Sequence, residues 1–264
     1  MANLELVKKL VDKVHKEPRH NIVINTHIHL WNFDCIPEAF QERYEGIPHS
    51  FDITIPLLEI LKKFYKEEGS IDKLRHFLEI CKAKTIKDVV DILLVDSDNL
   101  DPNEKIIFTP LMMDMKYATR DTEKQPKISF DRQMRMTKNI VLDHPGYFLP
   151  FIAADPRRIS EYKNKRSTAN GPDGIGYITK ALEKNGFWGV KIYPALGYEP
   201  ADPYLLPLYD YCEGNGIPIT THCNYGGLYS AQGKKKDDYK NMANPENWRP
   251  VLKDFPNLKL NLGH

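Results

Sequence analysis

Residues 21–29 have the sequence NIVINTHIH, and this stretch decides which fold the chain is expected to adopt. Its β-branched residues predict a buried strand. His27 and His29 end the stretch at positions i and i+2, so their imidazoles should point to the same face of the strand. Imidazole is a good ligand for Zn²⁺ and similar ions, so the pair is a candidate metal site. Two histidines in ordinary hydrogen bonds would have the same spacing.

Downstream of residue 104, predicted strands alternate with predicted helices through short connections. Such alternation is typical of a parallel sheet with right-handed crossovers. No G-x-G-x-x-G motif follows any predicted strand, which argues against a dinucleotide-binding sheet. The fold class is therefore predicted to be α/β, a TIM (β/α)8 barrel with only its first six βα units. The predicted strands are residues 21–28, 105–113, 147–154, 188–193, 217–222 and 258–262.

Residues 35–104 interrupt this rhythm, because Leu, Ile, Lys and Glu recur there at helical spacing. A βα unit of such a barrel takes about 31 residues, so this segment is longer than the barrel requires. We interpret it as a helical insertion after the first strand, acting as a lid or an oligomer contact. The chain then divides into an N-terminal helix with the first strand (1–34), the insertion (35–104) and strands two to six (105–264).

The composition is that of an ordinary globular protein and indicates a small-molecule substrate. The 264 residues include 37 Lys and Arg against 36 Asp and Glu, a formal charge of +1, so neither nucleic acid nor a membrane is expected as a partner. The four cysteines form no CxxC pair, which favours the cytoplasm as the location. A homo-oligomer is compatible with the sequence.

Two further histidines end predicted strands, His222 after the fifth and His264 after the sixth. With His27 and His29, four of the nine histidines then lie at strand ends. Active sites of TIM barrels lie at the carboxyl ends of the strands, so this clustering predicts a metal site. Alone, His222 would equally fit a histidine bonded to a carbonyl, and His264 a frayed terminus.

Several motifs resemble the amidohydrolase-related family of the amidohydrolase superfamily. They are NTHIH, FIAADPRR, GFWGVKIYP, DPYLLPLYDYCEGNGIPITTHC and PNLKLNLGH, in this order. That family includes aminocarboxymuconate-semialdehyde decarboxylase, resorcylate-type decarboxylases and several lactone hydrolases. The resemblance covers residues 21–34 and 147–264.

The resemblance implies a metal held by His27, His29 and His222, with His264 as the catalytic acid or base. It implies one divalent ion, with zinc expected and manganese as the alternative. The family also uses an aspartate after the eighth strand, which this sequence does not contain. We therefore expect the chain to be the N-terminal portion of a longer protein.

Five further residues are candidates for substrate binding. Lys191 and Tyr193 share a face of the fourth strand, and in binuclear members of the superfamily a carboxylated lysine on that strand bridges two metals. Arg157 follows the third strand and is a candidate carboxylate clamp, although an ion pair within the protein explains it equally well. Trp31 and Asp34 follow the first strand and are candidate walls of the site.

These residues together predict a metal-dependent hydrolase that acts on a lactone, ester or amide by metal-activated water. A metal-dependent non-oxidative decarboxylase is the alternative, because the same ligands serve both reactions. We lean to hydrolysis because no cation clamp for a carboxylate stands out. A non-catalytic metal-binding protein is a further alternative.

Overall fold

The computed structural model describes residues 21–37, 83–98, 104–118, 125–164, 170–223 and 241–263. The expected N-terminal helix, most of the 35–104 insertion and His264 lie outside these residues. No helix in the described ranges is long and apolar enough to cross a membrane.

Six parallel strands follow one another in chain order, as the sequence predicts for a partial TIM barrel. Strands β1 and β2 pair with each other, and β3 to β6 form a four-stranded sheet in the order β3-β4-β5-β6. Two parallel bridges, Phe108 to Phe148 and Leu111 to Phe151, connect the end of β2 to β3. The strands are β1 (Asn21–Ile28), β2 (Glu104–Pro110), β3 (Phe151–Ala154), β4 (Gly189–Ile192), β5 (Ile219–His222) and β6 (Leu260–Gly263).

Helices separate the strands, as the alternation requires. The first belongs to the predicted insertion, in agreement with its helical pattern. The helices are α1 (Ile86–Asp98), α2 (Phe130–Asp143), α3 (Pro156–Asn164), α4 (Gly176–Lys184), α5 (Leu206–Asn215) and α6 (Arg249–Asp254). Short 3-10 helices cover Phe33–Cys35, Met115–Ala118, Pro194–Leu196 and Pro245–Trp248.

Two predictions for the strands are wrong. The first strand was predicted to be buried, but Val23 and Ile24 are 42% and 52% exposed, and the strand predicted at 147–154 begins only at Phe151. Helix α3 was not predicted, because its sequence PRRISEYKN is mostly polar. Helix α5 starts at Leu206, because the Asp202 side chain first accepts a hydrogen bond from Tyr204 N and closes a turn. It ends before Gly216, whose φ of 64° is a left-handed conformation that favours glycine.

The four-stranded sheet has an apolar face and a polar face because side chains alternate along each strand. Ile152, Val190, Ile192 and Ile219 are fully buried and form one core with apolar residues of α4 and α5, among them Ile178, Leu182, Leu208 and Tyr209. The other face, here called the polar face, carries Lys191 and Tyr193 on and just after β4, and Thr220 and His222 on β5. In a barrel this second face points to the interior.

The loop after β2 is joined to α3 by a buried ion pair. The Arg158 guanidinium donates two hydrogen bonds to the Asp114 carboxylate, one of them at 2.9 Å, and lies 4.2 Å from the centre of the Phe130 ring. Both side chains are almost fully buried, with 8% and 2% of their surface exposed. Removing one partner would therefore leave an uncompensated charge inside the protein.

We expect Arg158→Met to lower the free energy of unfolding by about 3–5 kcal/mol, because Asp114 would remain buried without its cation. Urea denaturation followed by circular dichroism measures the change. The double variant Arg158→Met/Asp114→Leu should recover much of the loss. Arg249→Met is the matched control, since Arg249 pairs with Glu246 on the surface with 78% of its side chain exposed. Equal losses in the single and double variants would contradict a buried pair of this kind.

Candidate metal centre

The carboxyl end of β1 carries the predicted histidine pair. The ring centres of His27 and His29 lie 5.3 Å apart at an interplanar angle of 80°. The strand alternation thus places both imidazoles side by side, as the sequence predicts. Trp31 extends this row, with its ring centre 6.0 Å from that of His29.

His29 is held by a backbone carbonyl from the neighbouring strand. Its Nδ1 lies 2.8 Å from Leu111 O, and Leu111 follows β2 directly. Because a carbonyl only accepts hydrogen bonds, Nδ1 is the protonated nitrogen and donates to it. Nε2 is then the nitrogen that a neutral ring would offer to a metal. Histidines that bind metals usually have this arrangement, since the hydrogen bond fixes both the tautomer and the ring orientation.

His222 ends β5 on the polar face and is 9% exposed. Its ring packs edge-on against Tyr193, with 4.4 Å between ring centres. Register explains the contact: Lys191 pairs with Thr220, so the next residues on this face, Tyr193 and His222, are neighbours as well. The structure therefore brings together two of the predicted site residues from β4 and β5.

Gly263 of β6 lies beside His222 of β5 and against the ring of His27 from β1. It is the register partner of His222 in the β5–β6 pair. A Cβ atom built on Gly263 would lie 3.4 Å from Nδ1 of His27 and 3.1 Å from Thr221 O. The imidazole of His27 thus reaches from β1 to the end of β6 beside His222, and it occupies room that a side chain at residue 263 would restrict.

The approach of His27 to the end of β6 does not by itself complete a set of metal ligands. Within the described part of the chain, no three side chains of His, Cys, Asp or Glu are arranged to hold a metal ion. His264 follows β6 and lies outside that part. The assignment of His27, His29 and His222 as ligands stays a prediction, and the fixed tautomer of His29 is the structural feature that fits it.

Lys191 lies one level deeper on the polar face and is 1% exposed. Its Nζ lies 5.7 Å from the centre of the Tyr193 ring and has no hydrogen-bond partner among the described residues. Burial lowers the pKa of Lys191 to about 8, and the nearby Cys223 thiol opposes this shift. The lysine therefore lies in the sheet interior without the acceptors that usually accompany a buried ammonium.

Arg157 and Asp34, two other candidates for substrate binding, form ion pairs within the protein. Arg157 donates to both oxygens of Asp155, at 2.8 and 2.6 Å, and to Leu196 O at 3.1 Å. These contacts favour the ion-pair interpretation of Arg157 over a carboxylate clamp. Asp34 is partly exposed, and its Oδ1 lies 3.9 Å from Nζ of Lys127.

A cavity of about 260 Å³ lies beside the ion pair of Asp114 and Arg158, near the starts of α2 and α3. The predicted metal ligands do not line it. Its cations are engaged within the protein, because Lys116 Nζ lies 2.8 Å from both carboxylate oxygens of Glu161 and Arg158 binds Asp114. The sequence analysis did not identify this cavity.

Comparison with solved structures shows the fold. The chain is similar to 5-carboxyvanillate decarboxylase from Novosphingobium aromaticivorans, solved with manganese and 3-methoxy-4-hydroxy-5-nitrobenzoic acid, at 14% identity and a TM-score of 0.51. It covers 94% of this chain and 66% of that one. The same enzyme from Sphingomonas paucimobilis gives a TM-score of 0.48 at 14% identity, over 93% of this chain and 67% of the other. The 2,6-dihydroxybenzoate decarboxylase from Rhizobium gives 0.46 at 14% identity, over 93% and 66%.

The fold predicted from the sequence, a partial TIM barrel of parallel strands, is thus confirmed. The chain spans about two thirds of the length of these proteins. No protein-family model and no curated protein sequence matches it.

The buried cysteines give a test of the packing around this site. Burial raises the pKa of Cys35 to about 11 and that of Cys212 to about 12, and it also raises the pKa of Cys223 beside His222. Since the thiolate is the reactive form, alkylation of these three residues should stay slow between pH 7 and 9. Peptide mass mapping after iodoacetamide treatment measures it, with urea-unfolded protein as the fully labelled control. Rapid labelling of native Cys212 at pH 8 would contradict the structure.

Proposed function

We propose that the chain is the metal-binding part of a divalent-metal enzyme of the amidohydrolase superfamily that acts on a small molecule. The observation that carries the proposal is the meeting of His27, from β1, with the end of β6 beside His222. Histidines from separate strands converge there at the carboxyl ends of parallel strands, where TIM barrels have their active sites. The tautomer of His29 supports a ligand role for its Nε2.

One divalent ion held by His27, His29 and His222 would act as a Lewis acid and lower the pKa of water near it. Zinc is expected from the histidine ligands, and manganese is the ion in the decarboxylase of similar fold. The Tyr193 ring packs against His222 and restricts its rotation. His264, directly after β6, is proposed to move the proton, because an unperturbed imidazole titrates near pH ~6.5.

For the reaction, we propose non-oxidative decarboxylation of a small carboxylic acid. The solved structures of similar fold with bound manganese and a nitrobenzoic acid support this class. In this reaction the bond between the substrate carbon and its carboxylate breaks and CO₂ leaves. The electron pair stays on the carbon, which takes up a proton.

Hydrolysis of a lactone, ester or amide is the second candidate, and the ion pairs formed by two arginines favour it. Arg157 is bound to Asp155 and Arg158 to Asp114. Neither is therefore positioned as a clamp for a substrate carboxylate. A neutral substrate would need no such clamp.

Metal content tests the ligand assignment. We expect about one divalent ion per chain in the full-length protein, measured by mass spectrometry, and its loss in His29→Ala, because the protein then lacks one of its ligands. His144→Ala is the matched control, since His144 caps the end of α2 and should not affect the metal. Chelation should lower the melting temperature of the wild type, because the ion stabilises only the folded state. Full metal content in His29→Ala would refute the ligand assignment.

Isotope labelling separates the two reactions. In D₂O a decarboxylase should place one deuterium on the carbon that loses CO₂, whereas a hydrolase in H₂¹⁸O should place ¹⁸O in the acid product. Hydroxybenzoates and aryl lactones are the substrate panel. Deuterium without ¹⁸O supports the first proposal and ¹⁸O alone supports the second. Metal without turnover of any member of the panel would favour the non-catalytic alternative.

A further inference from the structure

The feature that the proposed function does not use is the buried amine of Lys191. On β4 it is flanked by Ala153 of β3 and Thr220 of β5, its register partners. One level deeper, the Phe151 ring covers Gly189, where an added Cβ would lie 2.4 Å from the ring. One level higher lies the Tyr193 ring. The Lys191 side chain thus starts between the levels of two aromatic rings, and its Nζ lies 5.7 Å from the centre of the Tyr193 ring.

No protein anion in the described part of the chain neutralises this amine. Nζ has no hydrogen-bond partner among those residues. Lysine is almost never fully buried unless it is paired, because water is replaced by groups that solvate the charge poorly. An anion from elsewhere would stabilise the charged form of this lysine, which burial disfavours.

The position of Lys191 suits an anion that arrives with the substrate. Its register partner Thr220 is two residues before His222 on β5, which corresponds to about 6–7 Å along a strand. A small carboxylic acid can span this distance and contact both levels of the polar face. The two arginines near the carboxyl end of β3 are engaged in ion pairs within the protein. Among the described residues, Lys191 is therefore the buried cation on this face.

We propose that Lys191 binds a carboxylate group of the substrate and thereby selects anionic small molecules. The inference deepens the proposed function and rests on it for the location of the substrate. The Lys191 ammonium donates charge-assisted hydrogen bonds to the carboxylate, and the ion pair is strengthened because water is excluded there.

Ligand binding to the full-length, metal-loaded protein tests the inference without requiring turnover. Benzoate and its neutral analogue benzamide are the probes, and titration calorimetry measures their affinities. The wild type should prefer benzoate. Lys191→Met should weaken benzoate binding by about tenfold or more, the scale of one charge-assisted hydrogen bond, and leave benzamide binding unchanged. Lys191→Arg should retain the preference, because it keeps the cation.

Thermal stability separates this role from a structural one. If no protein anion pairs with Lys191, the ligand-free Lys191→Met protein should melt at the same temperature as the wild type or higher, because a buried charge is removed. Lys87→Met is the control for loss of a lysine, since Lys87 is an exposed partner of Asp91 on α1. A large drop in melting temperature with unchanged benzoate affinity would show that the protein itself supplies the anion, and would overturn the proposal.

Two other results would also overturn it. Equal affinity of the wild type for benzoate and benzamide would exclude selection by charge. Two metal ions per wild-type chain, falling to one in Lys191→Met, would assign Lys191 to a metal bridge. Failure of the proposed function has a different signature, because a protein without metal or turnover can still lose its benzoate preference in Lys191→Met. Repeating the titrations after chelation makes this distinction.

Discussion

The register between β4 and β5 is the constraint on which the candidate site depends. Lys191 pairs with Thr220, and this pairing places Tyr193 beside His222 on the same face. Because side chains alternate strictly along a strand, a slip of one residue would turn Lys191 and Tyr193 into the apolar core. Fully buried Val190 and Ile192 oppose that slip, since they would be moved to the polar face. The apolar packing against α4 and α5 therefore also orients the chemically active side chains.

Ion pairs hold the chain where the strands end. Asp155 follows β3 and binds Arg157 through two oxygens, while Arg157 also reaches Leu196 O after β4. Asp114 after β2 binds Arg158 on α3 in the same bidentate way. Each pair fixes a connection at the carboxyl edge of the strands, where catalytic residues of a barrel must be positioned. The same pairs engage two guanidinium groups, so among the described residues Lys191 is the buried cation that we propose for substrate recognition.

The alternation of side chains along a strand and the histidines at strand ends predicted much of the strand order and of the candidate site. The bounds predicted for β1 are those of the structure, and alternation alone placed His27 and His29 on one face. The hydrogen bond from His29 to Leu111 could not be predicted, because every residue has a carbonyl and only the pairing of β1 with β2 selects this one. The role of Gly263 could not be predicted either, because it leaves room for the ring of His27 from β1, which is distant in sequence. Helix α3 was missed because its sequence is mostly polar, although its apolar residues Ile159 and Tyr162 are three positions apart and both face the core.

The two proposals are connected by the balance of charge at this end of the sheet. A divalent ion on the histidines and the ammonium of Lys191 would repel each other, and burial strengthens this repulsion because few water molecules screen it. An anion between them is attracted to both cations and offsets their mutual repulsion. A substrate carboxylate would thus be attracted from two sides, whereas a neutral ester or lactone would leave the repulsion in place. If Lys191 binds the substrate as we propose, a carboxylic acid is the favoured substrate, and decarboxylation is favoured over hydrolysis of a neutral molecule.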